Sequence, residues 1–102
     1  MSKECLEHCE ALLEELETAS YLWEYIERDA LDIEYTIYST GELKGASIYF
    51  TIGGPTVWIE VNSCSGTIHC HWGVDKEVIG MPGRMAEEIF DFVYELYDNT
   101  IK

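Results

Sequence analysis

Val57-Trp58-Ile59-Glu60-Val61-Asn62-Ser63-Cys64-Ser65-Gly66-Thr67-Ile68-His69-Cys70-His71-Trp72 reads as two short strands joined by a reversal. Val57, Ile59 and Val61 recur at the period of two that sends successive side chains to opposite faces of a strand. Ile68, Cys70 and Trp72 do the same, and Ser65-Gly66 lies between the runs as a hairpin turn. A turn centred there brings both apolar sets to one face and pairs Val61 with Cys70 and Ile59 with Trp72. Trp58, His69 and His71 then fall on the other face. The expected heart of the fold is therefore an antiparallel sheet buried on one side.

Upstream, Gly45 to Ile52 predicts another strand, with Ala46, Ile48, Phe50 and Ile52 on one face and Ser47, Tyr49 and Thr51 on the other. Gly53-Gly54-Pro55 ends it, two flexible residues and a fixed φ favouring reversal. Ile33, Tyr35 and Ile37 alternate with Glu34, Thr36 and Tyr38 as the first strand, closed by the turn Ser39-Thr40-Gly41-Glu42. Before it, Ser2 is a candidate N-cap for one helix reaching about Asp29. Its apolar stripe is Leu6, Cys9, Leu13, Leu16, Ser20, Trp23 and Ala30, widened by Leu12, Ala19 and Ile26.

Downstream, Asp75 to Met81 predicts no more than a short irregular edge strand. Pro82 suits the first turn of a last helix, whose buried stripe is Met85, Ile89, Phe92, Val93 and Leu96 and whose terminator is Asn99. Phe90, Tyr94 and Tyr97 form a side stripe at the edge of the core. The expectation is a single α+β domain over residues 1–102, built in two layers: an N-terminal helix, a four-stranded antiparallel meander and a C-terminal helix, both helices on one face.

A hydrophobic share of 47% with 13% aromatics is enough for a packed core and argues against disorder. Twenty Asp and Glu against six Lys and Arg give a net charge of −14, beyond the roughly 2 to 8 units that keep a small domain soluble. Such an excess repels nucleic acid and anionic membranes and attracts basic partners. The opening residues hold no apolar run of the secretory kind, and no stretch approaches the roughly 18 to 20 apolar residues of a membrane span. A cytoplasmic protein with Cys5, Cys9, Cys64 and Cys70 reduced is expected.

The charge is patterned. Glu7, Glu10, Glu14 and Glu17 in the first helix, and Glu88, Asp91, Glu95 and Asp98 in the last, follow the same steps of three, four and three, which stack carboxylates on one helical face. Each ridge holds three neighbouring like-charge pairs at about 0.2 to 0.5 kcal/mol each. Only Lys3 with Glu7 and Arg84 with Glu88 offer the ridges an opposite charge four residues away, one at the beginning of each. Folding permits these ridges without requiring them. With about 15 Å of helix per ridge, charges recur at about 5 Å, sparser than the roughly 3.4 Å phosphate spacing of one DNA strand. One ridge alone is a thin copy of a strand; the two together with Glu24, Glu27, Asp29, Asp32 and Glu34 would approximate a groove. The plain alternative is that charge runs are solvated helix faces.

Cys64, His69, Cys70 and His71, with Cys5, His8 and Cys9, are the residue types that bind zinc. Their spacing opposes a closed site: His69 and His71 share one strand face while Cys70 points to the other, and no paired C-x-x-C is present. Buried thiols and surface histidines are expected, with no metal and no cofactor. Cys70 on the apolar face is not a nucleophile, and Gly53-Gly54-Pro55 lacks the lysine and following helix of a phosphate-binding loop. No catalytic motif is present, and a non-enzymatic protein is expected. Trp58 and Tyr49, outward on a helix-free sheet face, suit a binding surface or a homodimer interface.

The stretch from Gly53-Gly54-Pro55-Thr56-Val57-Trp58 through His71-Trp72-Gly73 to the acidic last helix resembles small acidic proteins of phages and mobile elements of gut bacteria. In size and acidity the whole chain resembles anti-CRISPR and antirestriction proteins that mimic nucleic acid. The resemblance transfers no functional residue. It implies an inhibitor that occupies the basic channel of a nucleic-acid-binding defence enzyme, without binding nucleic acid or membrane itself. The expected contact residues are Glu7, Glu10, Glu14, Glu17, Glu88, Asp91, Glu95, Asp98 and Trp58. The alternative is an interaction or oligomerisation module using the aromatic sheet face.

Overall fold

The computed structural model describes residues 3–100, so the proposed cap Ser2 lies outside the described residues, as does the side chain of Lys3. The element order is α1 (Lys3–Thr18), α2 (Leu22–Asp29), β1 (Asp32–Ile37), β2 (Leu43–Thr51), β3 (Thr56–Asn62), β4 (Gly66–Trp72), β5 (Asp75–Gly80) and α3 (Gly83–Thr100). The strands form one antiparallel sheet in the order β1-β2-β3-β4-β5. The chain is thus an α+β protein with five strands rather than four. The segment expected to be irregular is a paired edge strand, made by the two-residue turn Gly73-Val74, with Trp72 opposite Asp75. Gly73 has φ +63°, which places a glycine where the turn between right-twisted strands needs a left-handed residue.

One row of isoleucines crosses the whole sheet: Ile33 lies opposite Ile48, Ile48 opposite Ile59, Ile59 opposite Ile68 and Ile68 opposite Ile79. Ile48, Ile59 and Ile68 have no solvent exposure. A second row on the same face runs Tyr35, Ala46, Val61 and Gly66. The face assignments expected for β3 and β4 therefore hold, but the register does not: Val57 pairs with Cys70, and Val61 pairs with Gly66. Asn62 supplies the reason. Its side-chain oxygen accepts from the backbone N–H of Cys64 at 2.8 Å and of Ser65 at 2.9 Å, which moves the turn toward Ser63-Cys64. Gly66 instead serves packing, since a Cβ there would stand 2.8 Å from Met81 Sδ and 2.9 Å from Ala86 Cβ.

Two register shifts correct the ends of β1 and β2. Between Tyr49 and Thr51 the pairing with β3 slips, so Ile52 leaves the core face and is exposed. A slip between Thr36 and Ile37 likewise leaves Ile37 exposed. A bulged residue breaks the period of two on which the sequence reading of a strand depends.

Both long helices meet the isoleucine face. The Cys70 thiol of β4 donates to Cys5 Sγ of α1 at 2.9 Å. Ala86 of α3 packs over Gly66, and Tyr97 packs at a tilt against Tyr35 and donates to the carbonyl of Gly41 at 2.8 Å. The buried side of α3 is Ala86, Ile89, Phe90, Val93 and Tyr97, so Phe90 and Tyr97 belong to the core rather than to its edge. Asn99 does not stop this helix, which continues to Thr100.

The expected single N-terminal helix is broken at Ala19-Ser20-Tyr21. Thr18 bonds back to the carbonyls of Glu14 and Glu15, and Thr18, Ser20 and Tyr21 are weaker helix formers than the leucines and glutamates before them. The break re-phases the chain, so that α2 buries Leu22, Tyr25 and Ile26 and leaves Trp23 46% exposed. Trp23 is thus not part of the apolar stripe. None of the helices is long and apolar enough to cross a membrane among the described residues.

Candidate protein-binding surface

Each acidic ridge lies opposite the buried stripe of its helix. In α1 the core residues are Cys5, Cys9, Leu12 and Leu16, and Glu7, Glu10, Glu14 and Glu17 sit about half a turn away, all exposed. In α3 Glu88, Asp91, Glu95 and Asp98 are likewise exposed across from Ile89 and Val93. Carboxylates concentrate in the helices: six in α1, three in α2 and five in α3, against Lys3, Arg28 and Arg84. Arg28 is bound to its neighbour Asp29 at 2.9 Å. Arg84 makes no ion pair with Glu88 among the described residues, so the expected i, i+4 partner is not engaged.

Local energetics oppose this layout in a second way. Glu17 lies in the last turn of α1 and Asp98 in the last turn of α3, and neither turn holds a basic residue. A carboxylate there faces the negative end of the helix dipole, which disfavours it by about 0.3 to 1 kcal/mol at low salt. Neither helix stability nor packing accounts for the pattern.

The ridges approach each other at the corner where α1 breaks. Glu17, at the end of the first ridge, and Glu88, at the start of the second, border one groove with Leu16, Ala19, Leu22, Pro82, Arg84 and Met85. Tyr21 and Trp23, on either side of Leu22 in sequence, stand exposed with ring centroids 6.1 Å apart. On the inner side of the corner Tyr25 donates to Glu15 at 2.6 Å, and burial followed by this bond pushes the Tyr25 phenol well above its ordinary range. The groove escaped sequence reasoning because it exists only where the helix break and Pro82 come together.

The opposite sheet face carries a second constellation. Asp32, Tyr49, Trp58, His69 and Val78 form one cross-strand row, placed as the parity of β3 and β4 predicts. The indole of Trp58 is stacked on both sides, against Tyr49 at 5.8 Å and His69 at 5.0 Å, and meets His71 edge-on at 4.8 Å. Its N–H donates to Glu60 at 3.0 Å, and the Tyr49 hydroxyl donates to Glu34 at 3.2 Å. Burial and then the Glu34 contact raise the Tyr49 pKa. Trp58 is therefore half-buried by its own neighbours rather than freely exposed. It offers an edge, not a flat face.

The thiols separate as their positions require. Cys5, Cys9 and Cys70 are fully buried between α1 and β4, whereas Cys64 is exposed at the β3–β4 turn. Burial pushes the Cys9 thiol up to about 11 and the Cys70 thiol up to about 12, with the neighbouring Cys5 adding to both. Raised values keep these groups protonated and unreactive near neutral pH. A thiol-exchange reagent at pH 8 is expected to titrate Cys64 alone in the native protein and all four cysteines after denaturation; several fast native thiols would contradict the packing. Among the described residues no group of three or more His, Cys, Asp or Glu is arranged to hold a metal ion.

Comparison of the chain with protein-family models, curated proteins and solved structures finds no match. The functional reading rests on the surface itself.

Proposed function

We propose that the protein is a binding protein whose helical side docks on a basic surface, in the manner of a nucleic-acid mimic that inhibits a nucleic-acid-binding enzyme. The observation that carries this reading is the gathering of both ridges on one side. α1 and α3 cover the same sheet face, and each ridge points away from it, so Glu7, Glu10, Glu14, Glu17, Glu88, Asp91, Glu95 and Asp98 share the outer surface of one helical layer with Glu24 and Glu27 of α2. A single-signed field of this kind accelerates association with a basic partner and strengthens as salt is lowered. The two ridges together supply the second row of charge that one ridge lacks.

The reading is tested by immobilising the chain and passing a bacterial lysate over it at low salt. Basic nucleic-acid-binding proteins are expected to be retained, to elute with salt and to be displaced by duplex DNA. Retention of proteins that are neither basic nor displaced by DNA would contradict it. A second reading, association through the outer sheet face, draws on the Tyr49-Trp58-His69 row. Stacking of that row within the protein and the engagement of its polar atoms by Glu34 and Glu60 make it a lesser candidate.

A further inference from the structure

From the groove between the end of α1 and the start of α3 we infer an anchoring site for one arginine side chain of a basic partner, an inference that rests on the function proposed above and locates its centre.

The groove has a volume of about 470 Å³ and mixed walls. Leu16, Ala19, Leu22, Pro82 and Met85 supply apolar surface, and Glu17 and Glu88, one from each ridge, stand at its border. An aliphatic stem carrying a cation matches that division: the methylenes cover the apolar wall while the head stays with the carboxylates. Guanidinium fits better than ammonium because its planar fork presents several donors at once and is more weakly hydrated, so it bridges two carboxylates at lower desolvation cost. An uncharged apolar side chain would use the wall and leave both carboxylates facing it without a partner.

Two further observations point the same way. Arg84 of the protein's own chain lines this groove but makes no ion pair with Glu88 among the described residues, so the Glu88 carboxylate is left to a cation from outside. Tyr21 and Trp23, which flank the groove residue Leu22 in sequence, hold their rings in solvent, 60% and 46% exposed, although a continuous helix would have turned Trp23 inward. Tryptophan, tyrosine and arginine are the residues that dominate interface energetics. The groove thus combines an apolar wall with two carboxylates from separate helices.

The test is titration of the protein with a fluorescein-labelled arginine-serine repeat peptide, followed by anisotropy at low and moderate salt. Glu17→Gln with Glu88→Gln is compared with Glu7→Gln with Asp98→Asn, which removes the same charge from the far ends of the ridges. The groove pair is expected to lose about tenfold or more in affinity and the distal pair only about twofold. Ser20→Trp, which fills the groove from an exposed position without changing charge, is expected to match the groove pair, with circular dichroism confirming that the helices persist. A lysine-serine peptide of equal length should bind the wild type several-fold more weakly. Equal losses in the two charge pairs, or wild-type affinity in Ser20→Trp, would overturn the anchor while leaving the acidic-surface reading in place. Equal affinity of the two peptides would overturn the guanidinium assignment. Binding that neither charge pair nor salt alters would overturn both the anchor and the function on which it rests.

Discussion

Changing Glu7, Glu10, Glu14 and Glu17 together to glutamine is expected to give a protein that folds more stably and binds the proposed basic partner at least about tenfold more weakly. The two effects have one origin. All four side chains are exposed, on the face of α1 away from the core, so glutamine keeps their size and removes only charge. Three neighbouring repulsions at about 0.2 to 0.5 kcal/mol each disappear, and with them the conflict between Glu17 and the negative end of the helix, a gain of about 1 to 2.5 kcal/mol. Chemical denaturation would read the gain as a higher midpoint at unchanged slope. Under the proposed function affinity moves the other way, because those charges would supply the attraction. A surface kept for solubility alone would show the first effect without the second, whereas opposite movements are the mark of stability given up for function.

Ile59→Ala is expected to cost about 2 to 5 kcal/mol, a large part of the roughly 5 to 15 kcal/mol that holds a domain together. Ile59 has no exposure, lies in the central strand and faces Ile48 on one side and Ile68 on the other, so no solvent or flexible loop can fill the space it leaves. Urea denaturation monitored by tryptophan fluorescence measures the loss. A change below about 1 kcal/mol would mean that the isoleucine row is not the centre of the core.

What the sequence made legible followed from periodicity. Alternation in Val57–Val61 and Ile68–Trp72 assigned the faces of β3 and β4 correctly even though the pairing is shifted, because any register that keeps parity keeps the faces. Register itself depended on Asn62, whose side chain outcompetes the Ser65-Gly66 signal, and on Gly66, whose role is to admit α3. β5 was obscured because its hairpin turn, Gly73-Val74, places a valine at a tip where a polar residue is usual; Val74 is 95% exposed. The break at Ala19-Ser20-Tyr21 has no glycine or proline to announce it, and losing it misplaced Trp23.

The candidate surface divides along the same line. That each ridge faces solvent was readable from its position opposite the apolar stripe, a property of one helix. That both helices cover one face was expected from the element order; that Glu17 and Glu88 border one groove depends on how two helices separated in sequence by all five strands are packed. Long-range placement of that kind leaves no local trace in the chain. The outward position of Trp58 followed from strand parity, but its enclosure by Tyr49 and His69 required the register of three strands.

The central claim is that charge on the helical side carries recognition, and the dependence of binding on salt reads it directly. The association constant of the wild-type chain with a captured basic partner, followed across ionic strength, should fall steeply, and the fall should be shallower for the variant lacking Glu7, Glu10, Glu14 and Glu17. Parallel salt dependences of equal strength for the two proteins would contradict the account.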